Sequence, residues 1–210
     1  MSVNISIYDI SQKNENELQN VFASHWAVKI AENISKKILD KNKCDMSIFS
    51  AIMRRKILSE YLSILPENLE FFNGKYGKPE LLNCKDIHFN VSHSNSIWVI
   101  AICNSGSIGV DVEFIRKRKY MSRIMNNYFH DEENEHYKSL ETYEKQEDYF
   151  YELWTKKESY AKYLGKGLSY NFSSESFLKK TPDGIYFFSK KISEGSAILT
   201  LTSCEKFKDF

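Results

Sequence analysis

Glycine, proline and a net charge of either sign are all scarce in this chain of 210 residues. Eight glycines and three prolines lie well below the roughly 12% of average usage, which excludes collagen-like and Pro/Gly-rich disordered architectures. Lysine and arginine number 29 and aspartate and glutamate 28, so the formal net charge is only +1. A balance this even gives no reason to expect a nucleic-acid or membrane partner.

Long apolar runs and paired cysteines are missing as well. The start, MSVNISIYDI, lacks the basic and apolar regions of a signal peptide, and no apolar run approaches the roughly 18 residues of a membrane span. The four cysteines show no C-x-x-C spacing, which argues against zinc or a redox dithiol and favours buried free thiols. We therefore expect a soluble protein of the reducing cytoplasm.

Hydrophobic residues make up 42% of the chain and aromatic residues 14%, enough for the core of one or two domains. Apolar positions three to four apart predict helices at 15–40, 46–65, 121–139 and 146–164, the second ended by Pro66 and the last followed by Gly165 as a cap.

Short runs of β-branched and aromatic residues predict three strands between 87 and 114. The TPDG turn predicts a hairpin between LKK and IYFF, followed by a strand at AILTLT. Helices followed by strands thus occur twice, and the predicted class is α+β. We place one subdomain at 1–105 and the other at 106–210.

Two carboxylates lie two residues apart in the predicted strand IGVDVE. Because side chains alternate along a strand, Asp111 and Glu113 point to the same face. Like charges this close repel unless a cation lies between them, and such a pair is a reasonable ligand set for Mg²⁺. The alternative is an ordinary polar outer face, with Val110 and Val112 turned inward.

The predicted helix ELWTKKESYAKYLGKG carries a second charged pair. Glu158 lies at the edge of an apolar stripe that includes Trp154 and Lys157, and Lys162 follows it at i+4. A partly desolvated carboxylate is either neutralised or has a raised pKa that suits a general base. An ordinary surface pair is the alternative.

Two loops offer groups for an anion. FNVSHS places Ser92 and His93 between predicted strands, and YGKP places Lys78 on a tight turn before Pro79. The alternatives are a turn that satisfies its own backbone groups and a solvated lysine. Neither a G-x-S-x-G elbow nor a Walker P-loop is present.

Taken together, these segments point to a known family. The motifs are YGKPEL, FNVSHS, IGVDVE, the stretch from Tyr128 and Phe129 to Glu132, and LWTKKESYAKYLGKGLS. In this order, over residues 76–169, the chain resembles a 4′-phosphopantetheinyl transferase of the surfactin-synthetase-activating type. The resemblance implies a monomer with two similar α+β subdomains related by a pseudo-twofold axis. It also implies transfer of the phosphopantetheine arm of coenzyme A to a serine of an acyl or peptidyl carrier protein.

The resemblance also assigns roles around the metal. It implies that Asp111, Glu113 and Glu158 coordinate Mg²⁺ on the pyrophosphate and that Lys162 lies near the transferred phosphate. Glu158 and Lys162 are then the catalytic residues, with Glu158 as the general base. Since a metal-bound carboxylate is a weaker base, either its second oxygen takes the proton or a metal-bound water relays it.

On the nucleotide side, the resemblance implies that Lys78, Ser92 and His93 hold the 3′-phosphoadenosine end of coenzyme A. The basic residues that bind coenzyme A from the N-terminal half stay open among Lys36, Lys37, Arg54 and Arg55.

For the carrier, the stretch FIRKRKYMSRIM suggests a basic and apolar docking segment, with a solvated loop and helix face as the alternative. Its basic residues are Arg116, Lys117, Arg118, Lys119 and Arg123. The sequence does not distinguish fatty-acid, polyketide and nonribosomal peptide carriers. Two other functions stay open: a metal-dependent phosphodiesterase or nuclease, and an inactive carrier-binding module of the same fold.

Overall fold

A computed structural model describes residues 3–10, 15–178 and 181–207. The helices are α1 (Glu15–Phe22), α2 (His25–Ser35), α3 (Lys41–Leu62), α4 (Met121–Tyr128), α5 (Asp131–Ser139) and α6 (Tyr143–Tyr163). The strands are β1 (Val3–Asp9), β2 (Phe71–Asn73), β3 (Pro79–Leu81), β4 (His88–Ser94), β5 (Ile97–Cys103), β6 (Ile108–Phe114), β7 (Tyr186–Ile192) and β8 (Ala197–Ser203). The predicted α+β class is confirmed. Within the described ranges, no helix is both long and apolar enough to cross a bilayer.

The chain forms two compact units that differ from the predicted subdomains. One contains Met1–Tyr8, Asn73–Glu80 and Asp86–Phe210, and the other contains Asp9–Phe72 and Leu81–Lys85. The two units are groups of residues that make most of their contacts within their own group. The boundary between residues 105 and 106 rests instead on a suspected duplication, and it stays a prediction together with the pseudo-twofold axis.

We call the unit formed by Asp9–Phe72 and Leu81–Lys85 the helical unit. Apolar spacing predicts the presence of its helices but not every point at which a helix ends. The predicted helix at 15–40 is two helices, α1 and α2, interrupted at Ala23 and Ser24. Helix α3 begins where the Asp40 side chain accepts a hydrogen bond from the Lys43 N–H (3.0 Å). It ends at Ser63, whose φ of 55° is left-handed, so the helix stops before Pro66.

The other unit contains two three-stranded antiparallel sheets, with strand orders β1-β5-β4 and β6-β8-β7. The central strands β5 and β8 are buried at every residue. Alternate residues of β5, β6 and β8, among them Val99, Val110 and Leu199, form one apolar core. Because Val110 and Val112 face this core, Gly109, Asp111 and Glu113 share the opposite face of β6.

Helix α6 crosses that opposite face at Gly109. A Cβ atom on Gly109 would lie 1.9 Å from the Ser159 carbonyl oxygen and 2.6 Å from the Tyr163 nitrogen, so only glycine permits the approach. Buried hydroxyl pairs also join α6 to β8: Thr155 to Thr200 (2.8 Å) and Ser159 to Thr202 (2.7 Å). The crossing therefore brings the carboxyl-terminal half of α6 directly over β6.

Helix α6 is capped at its carboxyl end by Gly165, as predicted. The Gly165 N–H bonds to the Lys162 carbonyl (3.1 Å) and the Lys166 N–H to the Ala161 carbonyl (3.0 Å), the two bonds of a Schellman motif. The φ of Gly165 is +67°, which suits glycine.

Other sequence predictions also need correction. The predicted helix at 121–139 is two helices, α4 and α5, interrupted at Phe129 and His130. Strand β7 pairs with β8, whereas the segment before the TPDG turn contains no strand in its described part; Lys179 and Lys180 lie outside the described residues. The amino-terminal strand β1 was not predicted. Only two of the four cysteines are buried, because Cys84 is half-buried and Cys204 is exposed.

Replacing Gly109 with alanine should displace α6 and destabilise the protein. The clashing atoms are helix backbone, which does not rotate away, so we expect a loss of about 1–3 kcal/mol or more in the free energy of unfolding, measured with urea. Gly74→Ala is the matched control, because its Cβ would come close only to the flexible end of the Glu80 side chain (2.9 Å) and would meet the Lys78 carbonyl oxygen at an ordinary contact distance of 3.5 Å. Equal stability of the two variants would contradict the close crossing.

Candidate functional site

Strand β4 presents polar side chains to the backbone of β6. The Val110 N–H donates to the Asn90 side-chain oxygen (2.9 Å), the Val112 N–H to the Ser92 hydroxyl (3.3 Å) and the Phe114 N–H to the Ser94 hydroxyl (3.0 Å). Both strands advance by two residues at each step. We call Asn90, Ser92 and Ser94 the β4 ladder; it joins the edges of the two sheets.

Asp111 lies at the centre of the site and is only 4% exposed. Its Oδ1 accepts hydrogen bonds from the Lys162 ammonium (2.7 Å) and the Ser92 hydroxyl (2.9 Å), and Lys162 also donates to Ser92 (2.8 Å). Its Oδ2 is buried and has no hydrogen-bond partner among the residues that the structure describes. A buried carboxylate oxygen with no donor is unusual and needs a reason.

Glu113 has a more crowded environment. Its Oε2 accepts from the Ser94 hydroxyl (3.1 Å) and lies 3.3 Å from the Arg118 guanidinium. Burial and the negative charge of Asp111 nevertheless raise the pKa of Glu113; Arg118, Ser94 and Trp154 only partly oppose this. The protein thus holds a carboxylate where its charged form is disfavoured.

Glu158 is half-buried on α6, and no hydrogen bond or ion pair of its side chain occurs within the described ranges. Burial first, and then the charge of Asp111, raise the pKa of Glu158 to about 7, against the opposing charge of Lys162; Glu113 raises it further. The predicted i,i+4 pair with Lys162 is therefore not formed, because the ammonium binds Asp111 and Ser92 instead.

The donor chemistry of these residues fits a divalent cation. The pKa values of Glu113 and Glu158 are both raised, first by burial and then by neighbouring carboxylates, and one Asp111 oxygen has no hydrogen-bond partner among the described residues. Hard oxygen ligands and uncompensated negative charge are what Mg²⁺ binds. No three His, Cys, Asp or Glu side chains stand at metal-ligand spacing in the part of the chain described. The residue types therefore suit a divalent cation, although their side chains are not arranged at metal-ligand spacing.

The three residues predicted to hold the nucleotide lie in different environments. Lys78 donates to the carbonyls of Ile108 (3.0 Å) and Lys162 (2.9 Å), which caps the carboxyl end of α6, and burial lowers its pKa to about 8. Ser92 belongs to the Asp111 cluster. His93 is exposed, and its pKa is lowered by partial desolvation and then by Lys162. Their role in nucleotide binding stays a prediction.

The four basic candidates from the N-terminal half all lie in the helical unit. Lys36 and Lys37 are exposed, and Lys36 borders an open groove of about 500 Å³ between α1, α2 and α3. Arg55 donates to the backbone carbonyls of Leu69 (2.7 Å) and Pro66. Arg54 and Arg55 each place their guanidinium 4.8 Å from the Phe71 ring centroid.

Helix α6 also contributes a fully buried ion pair. Lys157, which the sequence places in an apolar stripe, lies 2.8 Å from Glu133 and donates to the carbonyls of Phe172 (2.6 Å) and Glu175 (2.8 Å). Glu133 accepts from the Phe177 N–H (2.6 Å). A buried charge is tolerated only with such complete pairing, and nothing in the local pattern identifies a partner 24 residues away.

The predicted docking segment is only partly free. Arg116, Lys117, Lys119 and Arg123 are exposed. Arg118 is not, because its Nε donates to the Tyr151 hydroxyl (3.1 Å) and its NH2 pairs with Glu113. The sequence run gave no signal that separates Arg118 from its neighbours.

Glu158→Gln should change how stability depends on pH in metal-free buffer. Because the folded pKa is about 7 and the ordinary value 4.5, the folded state binds the proton more tightly, and stability falls as pH rises from about 4.5 to 7. Glutamine mimics the protonated form. Urea unfolding should thus find the variant more stable than the parent by roughly 1–3 kcal/mol at pH 8 and nearly equal at pH 4. A pH-independent difference would contradict the raised pKa.

Comparisons with known proteins agree with the motifs. The chain is 35% identical over 137 residues to the 4′-phosphopantetheinyl transferase Sfp of Bacillus subtilis, covering 64% of this chain and 58% of that protein. It is 38% identical over 123 residues to the transferase gsp of Aneurinibacillus migulanus, covering 58% and 49%. The chain thus spans about half to three-fifths of the length of these relatives.

A family model matches the part of the chain that holds most of the site. The match covers residues 107–201, from the start of β6 into β8, and therefore includes Asp111, Glu113, Glu158 and Lys162. The model is that of the 4′-phosphopantetheinyl transferase superfamily, so this segment of the chain is similar to that superfamily.

Proposed function

We propose that this protein transfers the 4′-phosphopantetheine group of coenzyme A to a serine of an apo acyl or peptidyl carrier protein and releases 3′,5′-ADP. The observation that carries the proposal is the set of coupled carboxylates Asp111, Glu113 and Glu158, of which two have raised pKa values while Asp111 Oδ2 has no hydrogen-bond partner among the described residues. The names of the relatives support it.

Glu158 is the proposed general base. In the reaction, the serine oxygen forms a bond to the β-phosphorus of coenzyme A, its proton goes to the base, and the bond from that phosphorus to the bridging oxygen breaks. The pKa of Glu158 is about 7 in the metal-free protein. A bound cation would lower it and keep the carboxylate ionised, and its second oxygen would then accept the proton.

Lys162 supplies fixed positive charge. Its ammonium is placed by Asp111 and Ser92, and the close crossing of α6 over Gly109 keeps the helix in reach. A lysine oriented beforehand stabilises negative charge that develops on a phosphoryl oxygen.

Mg²⁺ is the proposed cofactor, held by Asp111, Glu113 and Glu158. When bound, it supplies charge neutralisation to the pyrophosphate as a Lewis acid. The three carboxylates then lose their mutual repulsion, which is the reason for assigning all three to the cation.

Coenzyme A is the proposed co-substrate, with Lys78, Ser92 and His93 toward its 3′-phosphoadenosine end. For Ser92, direct contact requires its hydroxyl to release one of three protein partners. The monomeric state, the subdomains 1–105 and 106–210 and the cytoplasmic location stay predictions from the sequence.

Asp111→Asn should remove transfer almost completely while preserving the fold. The change deletes one negative charge from a repelling cluster, so unfolding by urea should show little loss of stability, whereas turnover should fall at least about 100-fold. The assay incubates protein, Mg²⁺, coenzyme A and a panel of apo carriers, and mass spectrometry detects the added arm.

Asp148→Asn is the control for that variant, because Asp148 forms an exposed pair with Lys191. Its turnover should match the parent. Normal turnover by Asp111→Asn at saturating coenzyme A would refute the metal site. Cleavage of a phosphodiester by the parent, with no carrier modified, would favour the hydrolase alternative.

Reversing Arg116 and Lys119 to glutamate should raise the KM for an acidic carrier protein, most strongly at low salt, and leave coenzyme A affinity nearly unchanged. Both side chains are exposed and follow β6 directly. Arg118 is left intact because its reversal would disturb Glu113.

The control reverses Lys190 and Lys191, on the edge strand β7 at the far side of the sheet. An unaltered carrier KM in the Arg116 and Lys119 double variant, or an equal change in the control, would exclude this segment as the docking surface.

A further inference from the structure

We propose that Ser92 and Ser94 are positioning residues, whose hydroxyls hold the Asp111 and Glu113 carboxylates in place for the cation. This inference rests on the proposed function. It concerns residues that touch the carboxylates and assigns them no contact with the reacting atoms.

The two serines make the same pair of contacts at successive steps of the β4 ladder. Ser92 accepts the Val112 N–H (3.3 Å) and donates to Asp111 (2.9 Å). Ser94 accepts the Phe114 N–H (3.0 Å) and donates to Glu113 (3.1 Å). Each serine hydroxyl therefore links one carboxylate of β6 to the backbone N–H of the next residue in the strand.

Serine is well suited to this double contact. A hydroxyl has one donor and two acceptor sites, so it bonds an N–H and a carboxylate at the same time. At Ser92 the Lys162 ammonium uses the remaining acceptor site, and the hydroxyl is saturated by protein groups. Its partners are thus those of a group that orients neighbours.

The contacts on Asp111 explain its partnerless oxygen. Ser92 and Lys162 both bind Oδ1, so the carboxylate is held by one oxygen and Oδ2 faces no donor. A carboxylate held in this way presents its second oxygen to a cation in a defined direction. Hydrogen bonds to ligand side chains commonly serve this purpose at metal sites.

Asn90 supplies a control within the same ladder. It accepts the Val110 N–H (2.9 Å) exactly as the serines accept theirs, but the residue before Val110 is Gly109, which has no carboxylate. Loss of the Asn90 side chain removes the strand contact alone. Loss of a serine hydroxyl removes the strand contact and the carboxylate contact together.

The test measures Mn²⁺ affinity by electron paramagnetic resonance of the free ion, for the metal alone and again with coenzyme A. Ser92→Ala and Ser94→Ala should each raise the Kd for Mn²⁺ about tenfold, and Asn90→Ala less than twofold. Ser94→Thr, which keeps the hydroxyl at a half-buried position, should restore the Kd to within twofold of the parent. Urea unfolding measures the stability lost in every variant.

Weaker Mn²⁺ binding in the serine variants, with Asn90→Ala unaffected, supports positioning even where a stability loss is shared. Equal weakening in all three alanine variants would show that the ladder is merely structural, and unchanged binding in the serine variants, or no Mn²⁺ binding by the parent, would overturn the proposal. A parent that binds Mn²⁺ but transfers no phosphopantetheine would refute the proposed function and leave the serine comparison valid.

Discussion

The close crossing of α6 over β6 is the contact on which the site depends. Gly109 lets the helix backbone approach the strand, and the hydroxyls of Thr155 and Ser159 complete the seam with β8. Since Glu158 and Lys162 lie on the helix and Asp111 on the strand, this one approach sets the distance between the two sources of charge. A methyl group at Gly109 would separate them.

Charge compensation is the second organising constraint. Two lysines of α6 have opposite consequences: the buried Lys157 is matched to Glu133 and fully hydrogen-bonded, whereas the half-buried Lys162 contacts a cluster with more carboxylates than cations. In the Lys157–Glu133 pair the charged atoms are hydrogen-bonded to protein groups, and the pair therefore has a structural role. The cluster at Lys162 leaves Asp111 Oδ2 without a hydrogen-bond partner among the described residues and Glu158 with a raised pKa, and the proposed cation site rests on these two features.

Much of the site was predictable because its key residues lie within short segments of regular structure. The period of two along IGVDVE was enough to put Asp111 and Glu113 on one face, and the three predicted strands between 87 and 114 are confirmed. The prediction of secondary structure was weaker where the local sequence pattern is compatible with two arrangements. The helix at 15–40 is broken at Ser24, and the strand partner of IYFF comes from further along the chain.

The sequence by itself determined the α+β class, the face shared by the strand carboxylates and the resemblance to 4′-phosphopantetheinyl transferases, because these follow from periodicity and motif order. Only the tertiary structure decided which groups meet. It pairs Lys162 with Asp111 and Ser92 instead of Glu158, separates Arg118 from its exposed neighbours, and matches Ser94 to Glu113. Such contacts join residues that are distant in the chain, and side-chain burial and hydrogen-bond geometry arise only when the strands and helix have packed.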